Sequence, residues 1–87
     1  MGERSLRRAE RERNDAASFA RTVGEAIRRA RQAHGWTQVV LAERAGLSGN
    51  YVARLERGEV GPSLFVARRL CDALETDLDT LTRRKRR

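Results

Sequence analysis

The sequence is poor in the residues that staple, kink or flatten a chain. It has one cysteine, Cys71, so no intrachain disulfide can hold it together, which suits a reducing, cytoplasmic setting. Its single proline, Pro62, falls in the segment GEVGPS, which reads as a loop. Apolar runs last only a few residues, too few to span a bilayer. The opening stretch MGERSLRRAERER is too charged for a secretory signal. There is no Ser/His/Asp set, no metal-ligand spacing and no glycine-rich phosphate loop, so an enzyme is not expected. The one histidine, His34, has no cysteine or carboxylate cluster about it. Neither a metal site nor a cofactor or small-molecule ligand is expected.

What remains is Ala, Arg, Leu and Glu, with few aromatic or β-branched residues, a composition that favours helix throughout. Eighty-seven residues make one small domain with a modest core. The net charge of +7 is unevenly placed. Residues 1–14 carry five Arg and three Glu, and the tail RRKRR (83–87) adds five positive charges. Residues 15–82 hold nine Arg and nine acidic residues and sum to zero. Within them the signs separate: Arg28, Arg29, Arg31, Arg44, Arg54 and Arg57 fall in the middle, whereas Asp72, Glu75, Asp77 and Asp79 gather near the end. One side of the domain should attract a polyanion and the other should face away from it.

Apolar periodicity and capping residues divide the chain into a charged extension (1–14), a helical domain (15–82) and the basic tail. Asp15 is a suitable N-cap, and Ala16, Phe19, Ala20, Val23, Ile27 and Ala30 then recur at helical spacing, predicting a first helix from about Ala16 to Ala33. Residues 1–14 show no apolar stripe and read as disordered or as a frayed helical extension. Gly35 stops the first helix. Thr37 caps a second helix with Leu41, Ala42 and Ala45 inward, and Ser48 caps a third with Leu47, Val52 and Leu55 inward. Trp36 with Leu41, and Leu47 with Val52, have the spacing of hydrophobic staples. Ser63 caps a fourth helix that turns Leu64, Ala67, Leu70, Cys71 and Leu74 inward, and Thr76 or Asp77 caps a short last helix with Leu78 and Leu81.

Two short helices joined by the tight turn AGLSG cannot stand alone, but they can brace one another as a helix-turn-helix. The fragments IRRARQAHGWTQ, LAERAGLS, YVARLERG and PSLFVARRLCDAL follow, in order and spacing, the pattern of the phage-repressor (Cro/cI, or XRE) family. The chain resembles that family over about residues 19–82. The resemblance implies an all-α, five-helix repressor-like domain that binds double-stranded DNA and presents its third helix to the major groove. It also implies site residues. Gln38 stands where family members contact a phosphate, and Arg57 where side chain or backbone does so. Arg44, Thr37 and Ser48 are further candidates for phosphate. Arg31 and Glu56 match a pair that, in related repressors, links the first helix to the third. Family members read bases from the positions of Gly49, Asn50 and Arg54; Gly49 has no side chain to offer, so Asn50 and Arg54 should carry the reading. Asn can pair bidentately with adenine and Arg with guanine. Tyr51, between them, ranks third. Cys71 reads as a small packed hydrophobe.

Some positions depart from the pattern. Val40 leaves the capping box with Thr37 half made. Glu75 replaces a glycine common after the fourth helix, and Phe65 and Val66 replace polar residues. Specific recognition needs two half-sites about 34 Å apart, which predicts a homodimer on a palindromic operator. Leu78, Leu81, Phe65 and Val66 are the candidate seam. Controller proteins of restriction–modification systems and Cro-like phage or plasmid repressors fit this size, with helix-turn-helix antitoxins as an alternative. A general nucleic-acid binder driven by the tails is a third class.

Overall fold

The computed structural model describes residues 3–83. Their secondary structure is five helices and no strand: α1 Glu3–Ala33, α2 Gln38–Ala45, α3 Gly49–Glu56, α4 Leu64–Leu74 and α5 Leu78–Thr82. The core is one apolar cluster that draws on every helix, with Ile27, Leu41, Val52, Leu55, Leu70 and Leu81 at its centre and essentially sealed from solvent. None of the described helices is long and apolar enough to cross a membrane.

Each of the last four helices begins on a side-chain cap. Thr37 accepts from the Val40 N–H at 3.2 Å, Ser48 from Tyr51 at 3.1 Å, Ser63 from Val66 at 3.1 Å and Asp77 from Thr80 at 2.8 Å. Each bond satisfies one of the donors that a helix start leaves open. Helix ends are as regular. Gly46 closes α2 in the left-handed region (φ 70°), and the Leu47 N–H reaches back to the Ala42 carbonyl at 2.8 Å. That wrap makes the sharp turn between α2 and α3. Glu75 does the same for α4 at φ 55°, with the Thr76 N–H on the Cys71 carbonyl at 3.0 Å. It is the one non-glycine with positive φ among the described residues. The turn at the glycine-replacing position therefore keeps the glycine conformation.

Helix α1 departs from expectation at its start. Asp15 caps nothing; it lies inside a helix that already runs from Glu3. Ala, Arg and Glu before it are strong helix formers, and Arg8 and Glu12 pair at 3.4 Å one turn apart. A good capping residue marks a start only when the residues before it resist helix. Where α1 crosses α3, Gly24 is buried, and a Cβ there would lie 2.3 Å from the Leu55 carbonyl oxygen and 2.8 Å from that of Glu56. No side chain fits. This close crossing brings the end of α3 against α1.

Several apolar residues lie elsewhere than the stripe or the seam expected of them. Leu64, expected inward, is 76 % exposed, because it occupies the first turn of α4, beyond the packed layer. Leu81, expected at a seam between copies, is 1 % exposed and belongs to the core. Val66 is partly buried and packs on that core. Phe65 and Leu78 are exposed, and Phe19 joins them at the edge of α1.

Candidate nucleic-acid interface

The short helix α3 is set against the rest of the domain by Glu56, the one charged residue in the buried set among the described residues. Its carboxylate accepts from Arg31 Nε at 2.6 Å and Arg31 Nη2 at 2.9 Å, and from Gln38 Nε2 at 3.0 Å. Arg28 Nε approaches at 3.4 Å. Arg31 also donates through Nη1 to the Trp36 carbonyl at 2.8 Å, tying down the turn before α2. One carboxylate thus joins α1, the start of α2 and the end of α3. Burial pushes the Glu56 carboxyl up, but the hydrogen bonds from Arg31, Gln38 and Arg28, with the charge of Arg31, outweigh it and hold the group below the usual carboxylate range.

With Val52 and Leu55 turned inward, α3 presents Asn50 and Arg54 to solvent. Gly49 is half-buried, and a Cβ there would rest 3.7 Å from Val39. Tyr51 is partly buried and packs on the core. Thr37 and Ser48 accept backbone N–H groups on their hydroxyl oxygens, which fixes the starts of α2 and α3 and leaves each O–H to donate outward. Arg54 and Arg57 both reach a carboxylate that no motif singles out: Glu59 lies 3.7 Å from Arg54 Nε and forms a close ion pair with Arg57. The Arg44 guanidinium carbon lies over the Trp36 ring, 4.4 Å from its centroid, and His34 stacks on that ring at 4.1 Å. The His34 ring nitrogen Nε2 is 2.8 Å from the Leu74 carbonyl.

Next to α3, a cleft of about 440 Å³ is lined by Arg21, Glu25, Arg28, Glu56 and Arg57. In the sequence Arg28 stands out only for its charge and Arg21 not at all. A signal for both exists, because their spacing is two helical turns and one face of α1 carries both. Gly58 packs directly on Arg21, a Cβ there meeting its Cγ at 2.7 Å. Arg21, Arg28, Arg54 and Arg57 thus edge one side, while Asp72, Glu75, Asp77 and Asp79 belong to α4, α5 and the turn between them. The basic tail from residue 84 on lies outside the described residues.

The helix-turn-helix family profile matches residues 27–81, which take in α2, α3 and the Glu56 network. The chain belongs to the Cro/cI-type helix-turn-helix family. It is 43 % identical over 53 residues to the immunity repressor protein of Bacillus phage phi105, a match over 61 % of this chain and 37 % of that one. The chain therefore spans little more than a third of that repressor's length. It is 44 % identical over 48 residues to an uncharacterized HTH-type transcriptional regulator of Methanothermobacter thermautotrophicus, covering 55 % of this chain and 70 % of the relative. Among solved structures, the restriction–modification controller protein C.AhdI of Aeromonas hydrophila superposes with a TM-score of 0.71 at 33 % identity, over 74 % of this chain and 97 % of its own. The clp gene regulator ClgR of Corynebacterium glutamicum gives 0.68 at 30 % identity, over 72 % and 82 %.

Proposed function

We propose that this protein is a transcriptional regulator that reads a palindromic operator as a homodimer, in the manner of a restriction–modification controller. The observation that carries the reading is the presentation of Asn50 and Arg54, one turn apart and exposed, on a capped helix whose far end is anchored by Glu56. In that role Asn50 and Arg54 enter the major groove and contact base edges. Gln38, Arg57, Arg28 and Arg21, gathered about Glu56 and the cleft beside α3, meet phosphates, which position without specifying. Thr37 and Ser48 serve by fixing the two helix starts. Arg44 contributes after leaving Trp36.

The controller assignment draws on the match to C.AhdI, which spans nearly that whole protein. Exposed Phe19, Leu64, Phe65 and Leu78 supply an apolar face for the second copy; Leu81 is no part of it. Selection from random duplexes tests the reading. Enrichment of an inverted repeat, with an excess of about 10³-fold or more over unrelated DNA, supports it. Equal affinity for all duplexes refutes it.

A further inference from the structure

Helix α1 carries its core-facing stripe well past the domain. Ala20, Val23 and Ile27 are buried. Toward the N-terminus the same spacing gives Ala16, Arg13, Ala9 and Leu6, so one face continues through these positions and only Arg13 among them is not apolar. Residues 5–18 extend about 21 Å along the helix and are exposed apart from the half-buried Ala9, Leu6 by 68 %. Arg7 and Arg11 lie on the opposite side. The family match begins at residue 27, beyond the whole extension.

At its inner end this stripe meets the apolar patch through Phe19, which borders Leu64 and Leu78. The patch continues into a groove of about 510 Å³ lined by Leu64, Phe65, Ala67, Arg68, Cys71 and Leu78. Asp72 and Asp77 are the chain neighbours of two lining residues, Cys71 and Leu78, and the Cys71 thiol is pushed up by burial and then by the charges of Asp77 and Asp72. The exposed parts of Phe19, Leu64, Phe65 and Leu78 amount to on the order of 400–500 Å², taking an aromatic side chain at roughly 200 Å². A standard interface needs about 800 Å² per partner. The patch alone is short of that by nearly half.

We propose that the α1 extension of each copy lies across the Leu64–Phe65–Leu78 groove of a second copy, with Leu6 as its anchor. The occupant's charge suits the site. Arg68, the one charged residue in the groove's lining, meets the carboxylate of Glu12, and Arg13, which interrupts the apolar stripe, lies toward Asp72 and Asp77, the chain neighbours of Cys71 and Leu78. DNA is the poorer occupant, because the face that continues the core stripe is apolar while Arg7 and Arg11 point the other way. The inference rests on the homodimer reading and adds an element from outside the shared fold.

Two matched substitutions in the full chain test it. Leu6→Gln keeps helix propensity and size but removes the apolar anchor; Arg11→Gln alters the opposite face. Sedimentation equilibrium measures the dimer dissociation constant, and circular dichroism checks that helix content is kept. Leu6→Gln is expected to raise the constant at least fivefold, with Arg11→Gln unchanged. Wild-type dimerisation by Leu6→Gln overturns the proposal. So does a loss of DNA affinity in Arg11→Gln with dimerisation intact in both, which assigns the extension to DNA. A third variant, Phe65→Gln, separates the two readings. If it leaves a monomer while Leu6→Gln dimerises normally, the dimer stands and only the extension's role falls. A wild-type chain monomeric at tens of micromolar, with and without operator, refutes both.

Discussion

Removing Arg31 while leaving Glu56 in place should unfold much of what the domain has to spare. The Glu56 side chain is fully buried and that of Arg31 is 13 % exposed. Arg31→Met deletes the two shortest bonds to the carboxylate and leaves a buried charge held only by Gln38 and the longer approach of Arg28. Stranding one partner of a buried pair costs about 3–5 kcal/mol. A small domain is stable by about 5–15 kcal/mol in all, and each kcal/mol shifts the midpoint by about 4–8 °C at this size. The expected fall in Tm is therefore about 12–40 °C, read by circular dichroism. Arg31→Met combined with Glu56→Leu removes both charges and should regain most of that loss. It still leaves the Gln38 amide and the Trp36 carbonyl short of a partner, at about 1 kcal/mol each. A single variant as stable as the parent, or a double variant no better than the single one, would refute the reasoning.

The remaining outcomes follow from particular residues. Glu56 titrates lower folded than unfolded, so its contribution is fully present above the unfolded value of about 4.3 and is lost as pH falls through the lower folded value; Glu56→Gln should flatten that acid decline in Tm, and a decline as steep as the parent's would place its origin elsewhere. Gly24→Ala should destabilise by about 1–3 kcal/mol through overpacking against the α3 carbonyls, overriding a helix-propensity gain of about 1 kcal/mol; a chemical denaturation midpoint equal to the parent's would count against it. Glu59→Gln should release Arg54 and Arg57 and raise affinity for any duplex, steepening the salt dependence by about 0.9 for each additional phosphate neutralised; an unchanged slope in fluorescence anisotropy would reject it. Arg54→Ala should relax preference at one guanine per half-site, worth about 1–3 kcal/mol; a uniform loss across operator variants would show that Arg54 meets only phosphate.

Local signals carry far into this fold, and non-local ones do not. Thr37, Ser48, Ser63 and Asp77 each bond an N–H three residues on, so short sequence patterns suffice to place those helix starts. Gly46 announces its turn for a similar reason. Asp15 misleads because its meaning depends on the helix formers before it. Leu64 and Leu81 mislead because periodicity shows which stripe a side chain joins, not whether a neighbouring helix extends far enough to cover it. Gly24 carries no local signal, since its necessity comes from a crossing between helices far apart in sequence. Glu59 escapes a reading by motif because an exposed charge beside a loop has no pattern of its own. Arg21, though it shares a face of α1 with Arg28, gains its place only from the approach of α1 to the end of α3.

On the proposed function, four of the side chains expected to touch DNA are already engaged in the free protein. Gln38 is on Glu56, Arg57 and Arg54 are on Glu59, and Arg44 is on Trp36. Binding is then an exchange of partners rather than the filling of open sites, and the exchanges differ in cost. Gln38 shares its carboxylate with two arginines, so it can turn to a phosphate while Glu56 remains paired. The Glu59 pairs are exposed and screened, each worth no more than about 1 kcal/mol, so a phosphate or a guanine edge displaces them readily. Because phosphate and guanine alike must displace the same pairs, Glu59 subtracts a similar amount from every complex, lowering affinity for all duplexes and leaving the preference among them to Asn50 and Arg54.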